Sequence, residues 1–110
     1  DATLPPIIGE FYENDVDNPL ADEFRRGTVA MARTGVYNSA KTTFFITLAT
    51  TENVSQSLDG QYAAFGQIDD AGMQTVDAIV KDYLKYATGE MGAINNPKDM
   101  PVIEYITIQD

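Results

Sequence analysis

Between residues 27 and 108 the apolar positions fall into blocks whose repeat changes from two to 3.6 and back. Thr28-Val29-Ala30-Met31-Ala32 is short and mostly apolar, the pattern of a buried strand. A polar loop follows from Thr34 to Thr42, with Gly35, Asn38 and Ser39 as its turn formers. Thr43-Phe44-Phe45-Ile46-Thr47-Leu48 is aromatic and β-branched, which suits a second strand. Side chains alternate along a strand, so Phe44, Ile46 and Leu48 share one face while Thr43, Phe45 and Thr47 share the other. The first set, with Phe65, is expected in the core; Phe45 reads as core or as part of a working face. After a polar loop over residues 51–60, Tyr62-Ala63-Ala64-Phe65-Gly66-Gln67-Ile68 predicts a third strand.

Met73, Val76, Val80, Tyr83 and Leu84 then recur at helical spacing with Ile79 beside them, a stripe expected to be core packing. Asp69 and Asp70 precede this helix and Lys81 and Lys85 fall near its end, matching the helix dipole. Val102-Ile103-Glu104-Tyr105-Ile106-Thr107-Ile108 predicts a closing strand. Residues 1–26 read as an irregular acidic lead-in, with extended backbone around Pro5-Pro6 and turn chemistry from Asn14 to Pro19. The order strand, strand, strand, helix, strand predicts a mainly β protein, an antiparallel or barrel-like sheet with a helix against one end.

Composition narrows the chemistry. The 110 residues carry 17 acidic and 7 basic side chains, a net charge of −10, which disfavours nucleic acid and anionic membrane surfaces as partners. No apolar run approaches the roughly 20 residues of a membrane span, so membrane insertion is not expected. Without cysteine or histidine the chain holds no disulfide, thiolate nucleophile, Ser-His-Asp triad or histidine-based zinc site. The carboxylates Asp15, Asp17, Asp22 and Glu23 lack the glycine and terminal glutamate of a calcium loop, and no metal is expected. Cytoplasmic and exported locations are equally compatible with these features.

The words on this scaffold are more specific than the scaffold. Arg26-Gly27-Thr28-Val29-Ala30-Met31-Ala32-Arg33-Thr34, then Asn38-Ser39-Ala40 and Phe44-Phe45-Ile46, then residues 58–67 beginning Leu58-Asp59-Gly60, then Gly72-Met73 with Val76-Asp77-Ala78-Ile79 follow one another in order. Together they resemble the cyclophilin-type peptidyl-prolyl isomerases, with the match densest over residues 27–79. The resemblance implies a closed antiparallel barrel capped by helices, of which residues 1–110 supply the later strands and one helix, as a partial domain with lead-in 1–26 and barrel elements 27–110. It also implies peptidyl-prolyl cis-trans isomerisation of extended Xaa-Pro segments in peptides or unfolded protein clients, with no cofactor. The alternative is a cyclophilin-like domain that binds peptides or serves structure without turnover.

By position the resemblance assigns substrate binding to Met31, Ala32, Arg33, Thr34, Thr43, Phe45, Leu58 and Tyr62. Phe45 would floor the proline pocket, Leu58 would wall it, and Tyr62 would edge the groove. Residues 31–34 would lie along the substrate backbone, with the main chain of Arg33 bonding the peptide and its side chain a solvated charge. Thr43 stands where the family has glutamine. The earlier family motif that supplies the catalytic arginine has no counterpart here, so no catalytic residue is expected within this chain. Buried backbone groups left unpaired cost about 1–3 kcal/mol each, so the barrel is expected to be completed by a missing N-terminal segment of the same domain or by another copy of the chain.

Overall fold

The computed structural model describes residues 4–49 and 57–109. The chain divides into two compact units, residues 1–69 and 70–110, each taken by itself below.

The first unit is built on a three-stranded antiparallel sheet. Its strands are β1 (Thr28–Met31), β2 (Phe44–Ile46) and β3 (Ala64–Gln67), in the order β2-β1-β3. All three predicted strands are present, each shorter than its apolar run. Ala30 lies opposite Phe45 on one side and Ala64 on the other, with a register shift between Val29 and Ala30. Directly opposed residues share a face, so Ala30, Phe45 and Ala64 point the same way.

That face is the covered one. Phe11, Ala21, Phe24, Ala30, Ala63 and Ala64 form the buried cluster, and Met31, Phe45, Leu58 and Tyr62 pack against it. Three of these buried residues come from the acidic lead-in, which is irregular but contributes to the core. It contains a 3-10 turn, Tyr12–Asn14, and one helical turn, α1 (Pro19–Asp22), with Pro19 at its start where no backbone donor is needed. Asn18 does not cap α1. Its amide Nδ2 instead donates to the carbonyls of Glu10 and Ala64, at 2.8 and 3.0 Å, tying the lead-in to β3.

The opposite face corrects the predicted core. Phe44, Leu48 and Phe65 are 37, 47 and 59% exposed, and Ile46 is half-buried. Their grouping on one face was sound, but a period of two cannot say which face is covered. Thr47, on the Phe45 side, is buried instead. Its hydroxyl accepts from the Thr28 N–H at 3.0 Å and donates to the Arg25 carbonyl. Fully buried Thr28 is satisfied in turn: its Oγ1 accepts from the Arg25 N–H at 2.9 Å and donates to Gln67 Oε1 at 3.1 Å. Two hydroxyls therefore close the end of the sheet without an unpaired polar atom, which is the condition for burying them at all.

The second unit contains α2 (Asp70–Tyr83), with Asp70 in its first turn and Lys81 in its last. A 3-10 turn, Leu84–Tyr86, follows directly. The helix spans the predicted stripe, but the expectation that this stripe is core is corrected. Met73 is buried, Val76 and Tyr83 are half-buried, and Ile79, Val80 and Leu84 are exposed. The predicted closing strand over residues 102–108 is corrected as well. That segment forms no strand and is exposed throughout, and among the described residues no hydrogen bond reaches it. A strand is defined by the ladder it joins, and β-branched composition alone does not provide a partner.

Candidate functional site

The short motifs act first as fasteners. Asn38 Oδ1 accepts from the Gly9 N–H at 2.9 Å and from Asn14 Nδ2 at 2.8 Å, joining the loop after β1 to the lead-in. Ser39 Oγ accepts from the Thr34 N–H at 3.0 Å and donates to the Val36 carbonyl at 2.6 Å, closing that loop on itself. Buried Ala40 accepts from the Ile7 N–H at 2.9 Å in an isolated bridge. In the turn before β3, Asp59 Oδ1 accepts from the Phe24 N–H at 2.6 Å. Gly60, at a φ of 69°, places its N–H on the Ala21 carbonyl at 2.7 Å and its own carbonyl under the Glu13 N–H at 2.9 Å. A left-handed φ at that corner is what glycine supplies without strain. These bonds fix the positions of Leu58 and Tyr62 on either side of the corner.

The predicted site residues come together in two adjoining sets. Met31, Phe45, Leu58 and Tyr62 gather on the buried cluster. The Phe45 and Tyr62 rings meet edge to face, with centroids 5.7 Å apart and planes at 90°. The second set, Ala32, Arg33, Thr34 and Thr43, lines an open cleft of about 340 Å³ at the end of β1, together with Lys41. Thr43 is exposed, and its carbonyl accepts from the Ala32 N–H at 2.8 Å, so the two strands stay paired one step beyond the sheet.

Arg33 overturns its expected role as a solvated charge. Its Nε and Nη2 both donate to the Gln61 carbonyl, at 3.0 and 2.6 Å, and Nη1 donates to the Thr34 carbonyl at 2.7 Å. Its Cζ lies 4.6 Å from the Tyr62 ring centroid, 5.0 Å from that of Phe11 and 5.2 Å from that of Tyr37. The main chain of Arg33 is different. Met31 turns its N–H to the Ala63 carbonyl at 3.0 Å, on the β3 side. Strand alternation aims Arg33 the same way, yet among the described residues no hydrogen bond forms to its N–H or its carbonyl.

Sequence reasoning missed Phe24, whose ring stacks on Phe45 with centroids 6.4 Å apart and planes 8° from parallel. It also missed Phe11 and Tyr37 as neighbours of Arg33. The available signal was the presence of large aromatics in a segment otherwise made of turn formers and acids.

The first unit is thus a β-sheet domain in which Met31, Phe45, Leu58 and Tyr62 pack against the buried cluster and the Arg33 main chain is unpaired among the described residues. The family model for cyclophilin type peptidyl-prolyl cis-trans isomerase/CLD matches residues 6–108, and the chain belongs to that family. It is similar to a peptidyl-prolyl cis-trans isomerase of Acinetobacter baylyi, 37% identical over 98% of this chain and 51% of that protein. It is also similar to peptidyl-prolyl cis-trans isomerase B of Escherichia coli, 35% identical over 99% of this chain and 62% of the relative. A third relative is peptidyl-prolyl cis-trans isomerase A of Dickeya dadantii, 33% identical over 93% of this chain and 48% of the relative. The chain therefore spans between about half and three fifths of the length of these relatives. No solved structure gives a significant match.

Proposed function

We propose that this chain supplies the apolar hollow and the backbone rail of a peptidyl-prolyl cis-trans isomerase acting on extended Xaa-Pro segments. One observation carries the reading: Phe45, Leu58, Tyr62 and Met31, far apart in sequence, pack against one buried cluster, while the Arg33 main chain makes no hydrogen bond among the described residues. The barrier to rotation about an Xaa-Pro bond is about 18–20 kcal/mol, because amide resonance must be broken. No nucleophile or cofactor is needed if the site binds the twisted amide better than either planar form. Phe45, flanked by Leu58 and Tyr62, would hold the proline ring. The Arg33 N–H and carbonyl would pair with the substrate backbone as one more strand.

Catalysis further needs a donor at the proline nitrogen. The Arg33 guanidinium is committed to the Gln61 and Thr34 carbonyls, so in this reading the donor comes from outside these 110 residues. The same segment would complete the sheet into a closed barrel and cover Phe44, Phe65 and Leu48. Their exposure supports that completion.

The test is an Xaa-Pro exchange assay on the complete protein. Turnover faster than spontaneous isomerisation, which takes tens of seconds, is the expected result. A rate equal to the spontaneous one removes the isomerase reading and leaves peptide binding. Thr43 offers a finer check, because its side chain is shorter than the glutamine the family carries there. Thr43→Gln restores a hydrogen-bonding arm at the cleft, and a bond worth roughly 0.5–1.5 kcal/mol should raise kcat/KM about two- to tenfold. An unchanged kcat/KM would mean that Thr43 does not face the substrate.

A further inference from the structure

Four stretches of chain converge on one guanidinium. Phe11 comes from the lead-in, Tyr37 from the loop after β1, Gln61 and Tyr62 from the turn before β3, and Arg33 itself from the extension of β1. Three rings lie within 5.2 Å of Cζ, and all three bonding nitrogens reach main-chain carbonyls. Among the described residues no carboxylate pairs with it, so rings and carbonyl dipoles neutralise the cation. This environment suits a planar, weakly hydrated group that stacks and forks at once, which lysine does not provide.

We propose that Arg33 is a positioning residue. Its side chain holds Tyr62 edge-on against Phe45 and anchors the Gln61 carbonyl, and it thereby sets the affinity of the groove for an Xaa-Pro peptide without touching the proline. The inference rests on the groove reading above and deepens it. Tyr62 is half-buried, and the bonds at the Gly60 corner hold its main chain without fixing its ring. Fixing the ring therefore requires a contact on the side away from Phe45. The guanidinium supplies that contact at 4.6 Å. It also links the Tyr62 side of the groove to the backbone rail, because the rail is its own main chain.

The test uses Arg33→Gln and Arg33→Lys in the complete protein, each alone and combined with Tyr62→Ala. Binding of an Ala-Ala-Pro-Phe peptide and the Tyr62 ring resonances are followed by NMR. Arg33→Gln should weaken peptide binding roughly five- to tenfold, with Arg33→Lys intermediate because it keeps the charge over the rings and loses the fork. The Tyr62 ring signals should shift and broaden in both variants. In the Tyr62→Ala background the further loss on removing Arg33 should fall below about twofold, because a residue acting through Tyr62 has nothing left to act on. An equal loss in both backgrounds, or Tyr62 signals that do not move, overturns the proposal. If Arg33→Gln does not fold, the Arg33→Lys comparison decides on the same criteria. A wild-type protein that binds the peptide without accelerating exchange overturns the isomerase reading and leaves Arg33 to be judged on affinity. One that does not bind the peptide overturns both.

Discussion

Phe45→Ala should cost the protein stability and peptide turnover together. The ring is stacked on Phe24, meets Tyr62 edge-on and stands opposite Ala30 across the sheet. Its removal opens a hole that alanine at position 30 cannot fill from the neighbouring strand. A fully buried phenylalanine truncated in this way loses about 3–5 kcal/mol, and half-burial brings the expected loss to about 2–3 kcal/mol. Urea unfolding measures that term, which is a large part of the 5–15 kcal/mol of an ordinary domain. The functional term is separated by Phe45→Leu, which keeps most of the volume and loses the flat ring. That variant should stay folded while kcat/KM for an Xaa-Pro peptide falls roughly tenfold, about 1.4 kcal/mol of lost transition-state binding. A Phe45→Leu protein with wild-type kcat/KM would show that the ring does not floor the groove.

Gly9→Ala is expected to unfold the protein more readily than its size suggests. A methyl group at Gly9 would overlap the Phe11 ring and the Tyr37 carbonyl oxygen. The ring is fully buried and cannot swing away, and the carbonyl belongs to main chain. Gly9 is also pinned through its N–H to Asn38 and through its carbonyl, which accepts from Asn14 Nδ2 at 2.8 Å. Relief therefore has to move the whole loop after β1, at an overpacking cost of about 1–3 kcal/mol. In a domain of this size each kcal/mol lowers the melting midpoint by about 4–8 °C, so a drop near 10 °C is expected. Gly35→Ala is the control, since nothing lies within 4 Å of a Cβ built there. Equal midpoints for the two variants would show that the lead-in does not pack against the loop as described.

Part of the local structure around the candidate site was legible from residue types in order. Asn38 and Ser39 could be picked out as turn formers and Asp59 and Gly60 through the resemblance, yet only Ser39 bonds within its own loop, while Asn38 and Asp59 bond to the distant lead-in. Phe45, Leu58 and Tyr62 are expected in one groove through the resemblance, and all three pack against the buried cluster. The error over Arg33 has a physical cause. A charge at a strand end is ordinarily solvated, and nothing nearby in sequence announces that Phe11 and Tyr37 will enclose it. The same holds for Phe24, which lies 21 positions before the ring it stacks on. The predicted closing strand failed for the complementary reason, since residues 102–108 have strand composition and no ladder to join.

From its residues alone this protein declared where three strands and a helix form and which side chains of a strand share a face. Those properties depend on dihedral preference and on spacing of a few positions, which act before any distant contact exists. Tertiary structure alone decided which face of the sheet is covered, that the acidic lead-in helps build the core, and that Arg33 is enclosed by three rings. The covered face and the core role of the lead-in are set by contacts between segments twenty or more residues apart, as are the contacts of Arg33 with Phe11 and Tyr62, and a period read along one strand contains no information about what comes to lie across from it.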